Sequence, residues 1–125
     1  MAENITDIEK CRNIRKEIFL LGISGGMAHL ASSFSCVEIL YALYCKGVLK
    51  VDRDNTVDIS RDRLILSKGH GGLCLYAVLM EAGLLERKKA YSYLLENGNL
   101  GGEPCTRDLK LVDASTGSLG HGLSI

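Results

Sequence analysis

The sequence predicts an α/β layer fold, helix-rich and with few strands, and three observations support it. Hydrophobic residues make up 46% of the 125 residues, enough to bury one core rather than stay disordered. Apolar residues recur at helical spacing in several windows. Between two of these windows lies "RLILSKGHGGLCLYAVL", residues 63 to 79. There a short apolar run passes through glycines into a second apolar run, as when a buried strand hands over to a helix.

The elements follow in order. Thr6, Asp7, Ile8 and Glu9 have the pattern of a capping box. Behind it Ile8, Cys11, Ile14, Ile18 and Leu21 repeat at steps of three or four on one helical face. Gly22 is expected to end that helix, and "GISGGMAHLASSFS" to follow as a loop. A second capping box at Ser35 to Glu38 opens a helix to about Cys45, with Ile39, Leu40 and Leu43 as core and Gly47 as the stop. "KVDRDNTVDISRD" is a polar connection. Arg63 to Ser67 is the one clear strand. The helix after His70 presents Leu73, Ala77, Met80 and Leu84, and another runs from about Glu86 to Glu96. Residues 99 to 116 are irregular, with a short extended piece at Leu109 to Val112. One strand cannot make a sheet, and Leu123-Ser124-Ile125 resembles the first turn of a further apolar helix. The sequence therefore reads as the front piece of a larger domain, a partial domain over 1–125.

Charge and composition narrow the function. Lys plus Arg equals Asp plus Glu at 15 each, which argues against a general nucleic-acid or acidic-membrane binder. No apolar run approaches the roughly 20 residues of a membrane helix, and "MAENITDIEK" is too acidic and polar for a signal peptide. Cys11, Cys36, Cys45, Cys74 and Cys105 are odd in number and lack C-x-x-C spacing. That argues against a disulfide framework or zinc site and for small core residues in a cytoplasmic protein.

Two glycine-rich turns carry the chemistry. Glycine lets backbone approach a ligand closely, and the first turn of a following helix offers free N–H groups and partial positive charge. Such a turn suits a phosphate. In "SKGHGG" His70 adds a donor, with Lys68 nearby. The plainer reading is a tight turn with a surface histidine. "STGSLGHGLSI", residues 115 to 125, has glycines at 117, 120 and 122 around an apolar Leu119. It reads either as a linker or as the second half of a shared ligand site. Neither turn is a Walker A loop or a G-x-G-x-x-G fingerprint.

Taken together these motifs resemble the N-terminal part of transketolases, the thiamine diphosphate enzymes. That family shows, in order, S-G-H-P-G-G-S-L-S, D-I-L-x-x-L-Y, R-D-R-x-x-L-S-K-G-H-A, G-H-P and S-T-G-S-L-G-Q-G-L-S. This chain shows "AHLASSFS" at 28 to 35, "VEILYALY" at 37 to 44, "SRDRLILSKGHGG" at 60 to 72, "GGEPC" at 101 to 105 and "STGSLGHGLS" at 115 to 124. The resemblance implies the front part of a thiamine diphosphate-binding domain. It places His70 on the cofactor diphosphate and His29 in the substrate channel, as the catalytic position. It places Gly117, Ser118 and Leu119 against the aminopyrimidine and thiazolium rings. It implies transfer of a two-carbon ketol unit between sugar phosphates, with Mg2+ held by a Gly-Asp-Gly motif and a later asparagine beyond position 125. No metal ligand is expected within these residues.

The sequence departs from the family pattern at several positions. Leu30 and Ala31 stand where the family has Pro and Gly, and His121 replaces a glutamine. Glu103 stands where the family has the histidine of G-H-P. An ionised carboxylate cannot donate as an imidazole does, and it repels an enolate-like or phosphorylated group. The resemblance further implies a C-terminal subunit or downstream segment as partner, and a homo-oligomer. Without them the chain is expected to be inactive, to expose apolar surface and to associate or aggregate. Two other readings stand beside this one: a non-catalytic remnant that binds a partner, and another thiamine diphosphate enzyme such as a deoxyxylulose phosphate synthase.

Overall fold

The computed structural model describes residues 6–125; the first half of the acidic N-terminal stretch lies outside them. Among the described residues five α-helices follow in chain order: α1 (Asp7–Gly25), α2 (Leu30–Phe34), α3 (Val37–Cys45), α4 (Gly72–Glu81) and α5 (Arg87–Ala90). A 3₁₀ turn at Gly69–Gly71 leads directly into α4.

Helix α1 begins as its sequence requires. Thr6 accepts from the Glu9 N–H at 3.3 Å, and the Glu9 carboxylate accepts from the Thr6 N–H at 2.8 Å. Both ends of the capping box are thus made. The apolar stripe Cys11, Ile14, Ile18 and Leu21 is buried. Ile8 is not: it is 73% exposed and lies before the buried stripe begins. Gly22 does not end the helix. It is buried inside α1, where an added Cβ would lie 2.7 Å from the Ala28 Cβ. The stop comes at Gly26, whose φ of 74° is the left-handed cap that glycine takes without strain.

The glycine- and serine-rich stretch after α1 is not all loop, since α2 forms within it. The second capping box is absent. Cys36 is the residue before α3 and makes no side-chain cap, while Ser35 Oγ donates to the Ser32 carbonyl. Val37, Leu40 and Tyr41 form the inward face of α3, leaving Ile39 exposed. That i, i+3, i+4 face is the one that meets α1 and α4.

Helix α4 is the centre of the molecule. Every residue from Gly72 to Leu79 is buried, because α1, α2, α3 and α5 all pack around it. A helix enclosed on all sides has no need of polar residues along one face. Each fully buried Leu or Val there contributes about 1.5–3 kcal/mol.

The strand expected at 63–67 is not formed. Among the described residues there is no β-ladder, and pairing is limited to an isolated parallel bridge between Tyr93 and Leu100. The segment still alternates: Leu64 and Leu66 pack on the core while Arg63 and Ile65 point outward. The side-chain pattern of a strand is present, but the described residues supply no neighbouring strand to bond its backbone.

The helix expected over 86–96 stops at Ala90. Leu94 takes a left-handed φ of 51°, and its N–H donates to the Leu100 carbonyl at 2.9 Å. The chain folds back over buried Tyr93 instead of continuing as a helix. Leu109 to Val112 forms turns, and the last residues make one turn, with the Ser124 N–H donating to the His121 carbonyl. No helix among the described residues is long and apolar enough to cross a membrane.

Candidate cofactor and substrate site

Four segments far apart in sequence meet at the N-terminal end of α4. The His70 ring lies on the 3₁₀ turn, and the His29 ring precedes α2. Their centroids are 4.8 Å apart with planes at 80°, an edge-to-face contact. His29 is exposed and His70 half-buried.

The two glycine turns are in direct contact. A Cβ at Gly69 would sit 2.7 Å from the Thr116 carbonyl oxygen and 2.9 Å from the Gly117 nitrogen. Only glycine permits that approach, because backbone cannot swing aside. Ser67 joins the turns a second time: its carbonyl accepts from the Gly120 N–H at 3.3 Å, and its Oγ accepts from the His121 N–H at 2.7 Å.

The fourth segment is 101–105. Tyr76, buried in α4, donates toward the carbonyls of Gly101 and Glu103. Pro104 accepts from the Thr116 N–H at 3.2 Å. An added Cβ on Gly72 would lie 3.1 Å from the Gly102 carbonyl oxygen. This packing sets the Glu103 carboxylate 3.6 Å from His70 Nε2. The same carboxylate lies against Gly117, where an added Cβ would be 2.6 Å from Oε2.

Of the residues the sequence singles out, the structure brings His29, His70, Glu103 and Gly117 together. Ser118 and Leu119 follow Gly117 on the same turn, both exposed, Leu119 at 64%. Lys68 bonds to Ser35 Oγ. Among the described residues no group of three or more His, Cys, Asp or Glu side chains could hold a metal ion.

Supporting residues emerge that the sequence did not mark. Buried Ser33 lies under His70, its Oγ 3.5 Å from the His70 carbonyl. Buried Arg61 forms a two-pronged ion pair with Asp113, one prong at 3.2 Å. The hydrogen bond that Arg61 donates to Asp113 raises the Arg61 pKa and keeps it charged despite burial. This pair ties the chain before the first turn to the chain before the second. Spacing of 52 residues gives no local signal for it. Thr116 Oγ1, on the second turn where its backbone meets Gly69, is buried with no hydrogen-bond partner.

The donor set suits an anion with an apolar neighbour. It comprises two imidazoles beside the close-packed glycine backbone, with exposed Leu119 on the same turn as Gly117 as the apolar neighbour. The orphaned Thr116 hydroxyl adds an unused polar group. These features fit a diphosphate carried on an aromatic heterocycle, with Glu103 the one opposing charge.

Residues 23–125 match the family described as "Transketolase, thiamine diphosphate binding domain". The chain is 37% identical to the 6-deoxy-6-sulfo-D-fructose transketolase subunit SqwG of a Clostridium species, covering 99% of this chain and 45% of that protein. It is 36% identical to an apulose-4-phosphate transketolase subunit of Actinobacillus succinogenes, over 94% of this chain and 42% of that one. It is 38% identical to a Rhodococcoides fascians protein named ferredoxin fas2, over 81% of this chain and 33% of that one. The chain thus spans between a third and a half of the length of these relatives. With the family matched across most of its residues and the two glycine turns in contact, the chain belongs to the transketolase thiamine diphosphate-binding domain family.

Proposed function

We propose that these residues form the front part of a thiamine diphosphate-dependent transketolase, which moves a two-carbon ketol unit between sugar phosphates. The observation that carries this reading is the meeting of His29, His70 and Gly117 from three separate segments. His70 donates to the cofactor diphosphate, assisted by the N–H groups at the start of α4. Gly117, Ser118 and Leu119 line the ring system. His29, exposed beside His70, faces the sugar and holds or moves a proton there. When bound, the cofactor supplies the carbon nucleophile that accepts the transferred unit. The Mg2+ that neutralises the diphosphate takes its ligands from outside these 125 residues.

A C-terminal subunit or downstream segment completes the enzyme, and two relatives bear the word subunit in their names. In that assembly segment 63–67 pairs into a sheet, giving the α/β layer. Exposed Ile65, Leu119, Leu123 and Ile125 support association into a homo-oligomer, and the charge balance and cysteine usage support a cytoplasmic location. The chain by itself is inactive.

A second reading is a non-catalytic remnant, favoured by one observation: the Glu103 carboxylate occupies the space beside His70 Nε2. Calorimetric titration of thiamine diphosphate with Mg2+ into the full chain separates the two. Saturable binding that weakens at least tenfold in His70→Ala supports the enzyme reading. Equal binding by His70→Ala overturns the role of His70, and no binding with or without the partner subunit favours the remnant.

A further inference from the structure

The Glu103 carboxylate stands inside the anion cradle that it opposes. Its Oε1 lies 3.6 Å from His70 Nε2, beyond hydrogen-bond range, so the two groups face each other without a bond. Its Oε2 lies against the second glycine turn, where a Cβ on Gly117 would come within 2.6 Å. Among the described residues neither oxygen accepts a hydrogen bond. The backbone beneath it is held firmly. The Tyr76 hydroxyl donates to the Glu103 carbonyl at 3.3 Å, and the Pro104 carbonyl accepts from the Thr116 N–H at 3.2 Å. An added Cβ on Gly72 would lie 3.5 Å from the Glu103 Cα. The main chain therefore fixes where the side chain starts. The side chain itself, 42% exposed, is free to turn toward solvent.

We propose that Glu103 is an internal stand-in for the ligand's phosphate: its carboxylate fills the space between His70 Nε2 and the Gly117 turn, and a phosphate takes that space only as the Glu103 side chain turns out. This rests on the reading of His70 as a phosphate donor. Carboxylate and phosphate are both anionic acceptors and seek the same N–H donors. They cannot share the space, because like charges at contact distance repel. The carboxylate holds its place weakly, since it makes no hydrogen bond there. A phosphate oxygen within bonding distance of Nε2 gains a charge-assisted hydrogen bond, which favours the exchange. The displacement is a side-chain rotation over a fixed backbone, so the glycine turns stay in contact throughout. Gly117 is essential to the device, because any side chain there would meet the carboxylate.

The test is titration of inorganic pyrophosphate into the full chain and its Glu103 variants at constant ionic strength. Occupancy and simple charge repulsion predict different series. Glu103→Asp keeps the charge but is one methylene shorter, so it withdraws from His70 and Gly117. Binding should tighten in Glu103→Asp and more so in Glu103→Ala, by at least roughly threefold in the latter. Acetate should weaken pyrophosphate binding to Glu103→Ala by refilling the vacated space, and leave wild type unaffected. The Glu103 carboxyl carbon resonance, assigned by its loss in Glu103→Gln, should move when pyrophosphate is added to wild type. Glu103→Asp binding no tighter than wild type would leave charge alone at work and overturn the proposal. A Glu103 resonance that stays in place, or acetate without effect on Glu103→Ala, would overturn it too. Failure of the cofactor reading looks different: the Glu103 series keeps its order for pyrophosphate, while thiamine diphosphate binds no tighter than pyrophosphate. Absence of pyrophosphate binding in both wild type and Glu103→Ala would overturn both.

Discussion

The imidazoles of His29 and His70 meet edge to face with centroids 4.8 Å apart, although 41 positions separate them in the chain. One ring is exposed and precedes α2; the other is half-buried on the turn into α4. Their burial and position match the different roles proposed for them.

Substituting them should therefore separate chemistry from cofactor grip. His29→Asn changes an exposed side chain, so stability should stay within about 0.5 kcal/mol. In the assembled enzyme kcat should fall roughly 100-fold, as for loss of a general acid–base group, with little change in cofactor affinity. His70→Asn should chiefly weaken thiamine diphosphate binding. Steady-state kinetics at saturating cofactor, beside calorimetry, would expose any reversal of that split.

Glu103 places a negative charge 3.6 Å from His70 Nε2. Its replacement by Gln should tighten binding of inorganic pyrophosphate. A unit charge at about 6 Å is worth about 0.7 kcal/mol in bulk water and about 2.8 kcal/mol at a near-surface dielectric, so the gain in affinity should be at least roughly threefold. The gain should shrink at high salt because the pair is partly exposed. Titrations at low and high ionic strength check both points, and unchanged affinity at low salt would remove Glu103 from the site.

Gly69 and Gly117 should respond differently to the same methyl group. A Cβ at Gly69 meets the backbone of Thr116 and Gly117, which cannot yield. Gly69→Ala should cost about 1–3 kcal/mol, visible as a lower denaturant midpoint. A Cβ at Gly117 meets only the end of the Glu103 side chain, which can turn aside. Gly117→Ala should cost less, and less still in a Glu103→Ala background. Equal costs would mean that the turns are not packed as described.

Arg61 and Asp113 form a buried pair with side-chain exposures of 7% and 10%. Asp113→Asn leaves a buried guanidinium without its counter-charge, so a loss of about 3–5 kcal/mol is expected. Arg61→Met with Asp113→Leu should recover much of it, because the cost lies in the unpaired charge. Chemical denaturation of the single and double variants measures this, and a near-neutral Asp113→Asn would show that the pair does not fix the second turn.

Local order was legible in the sequence wherever one segment carries its own instruction. The capping box at Thr6 and Glu9 formed because both partners lie within one helical turn. The stripe from Cys11 to Leu21 is buried because helical period alone puts those residues on one face. The motif order also identified the family, since five spaced patterns are a one-dimensional signal. Outcomes that depend on a neighbour were not legible. Gly22 reads as a stop but lies inside α1, because Ala28 packs against it. Residues 63–67 read as a strand yet have no ladder, because a strand needs a partner. Ile39 reads as core, but α1 and α4 meet the other face of α3. The site divides in the same way. The sequence by itself determined which residues could donate to a phosphate: the histidines, and the glycines that let backbone come close. Only the tertiary structure decided that Gly69 abuts Gly117, that Glu103 faces His70 and that Arg61 reaches Asp113. Those contacts span tens of residues, and their geometry is set by the packing around α4 rather than by any local preference of the chain.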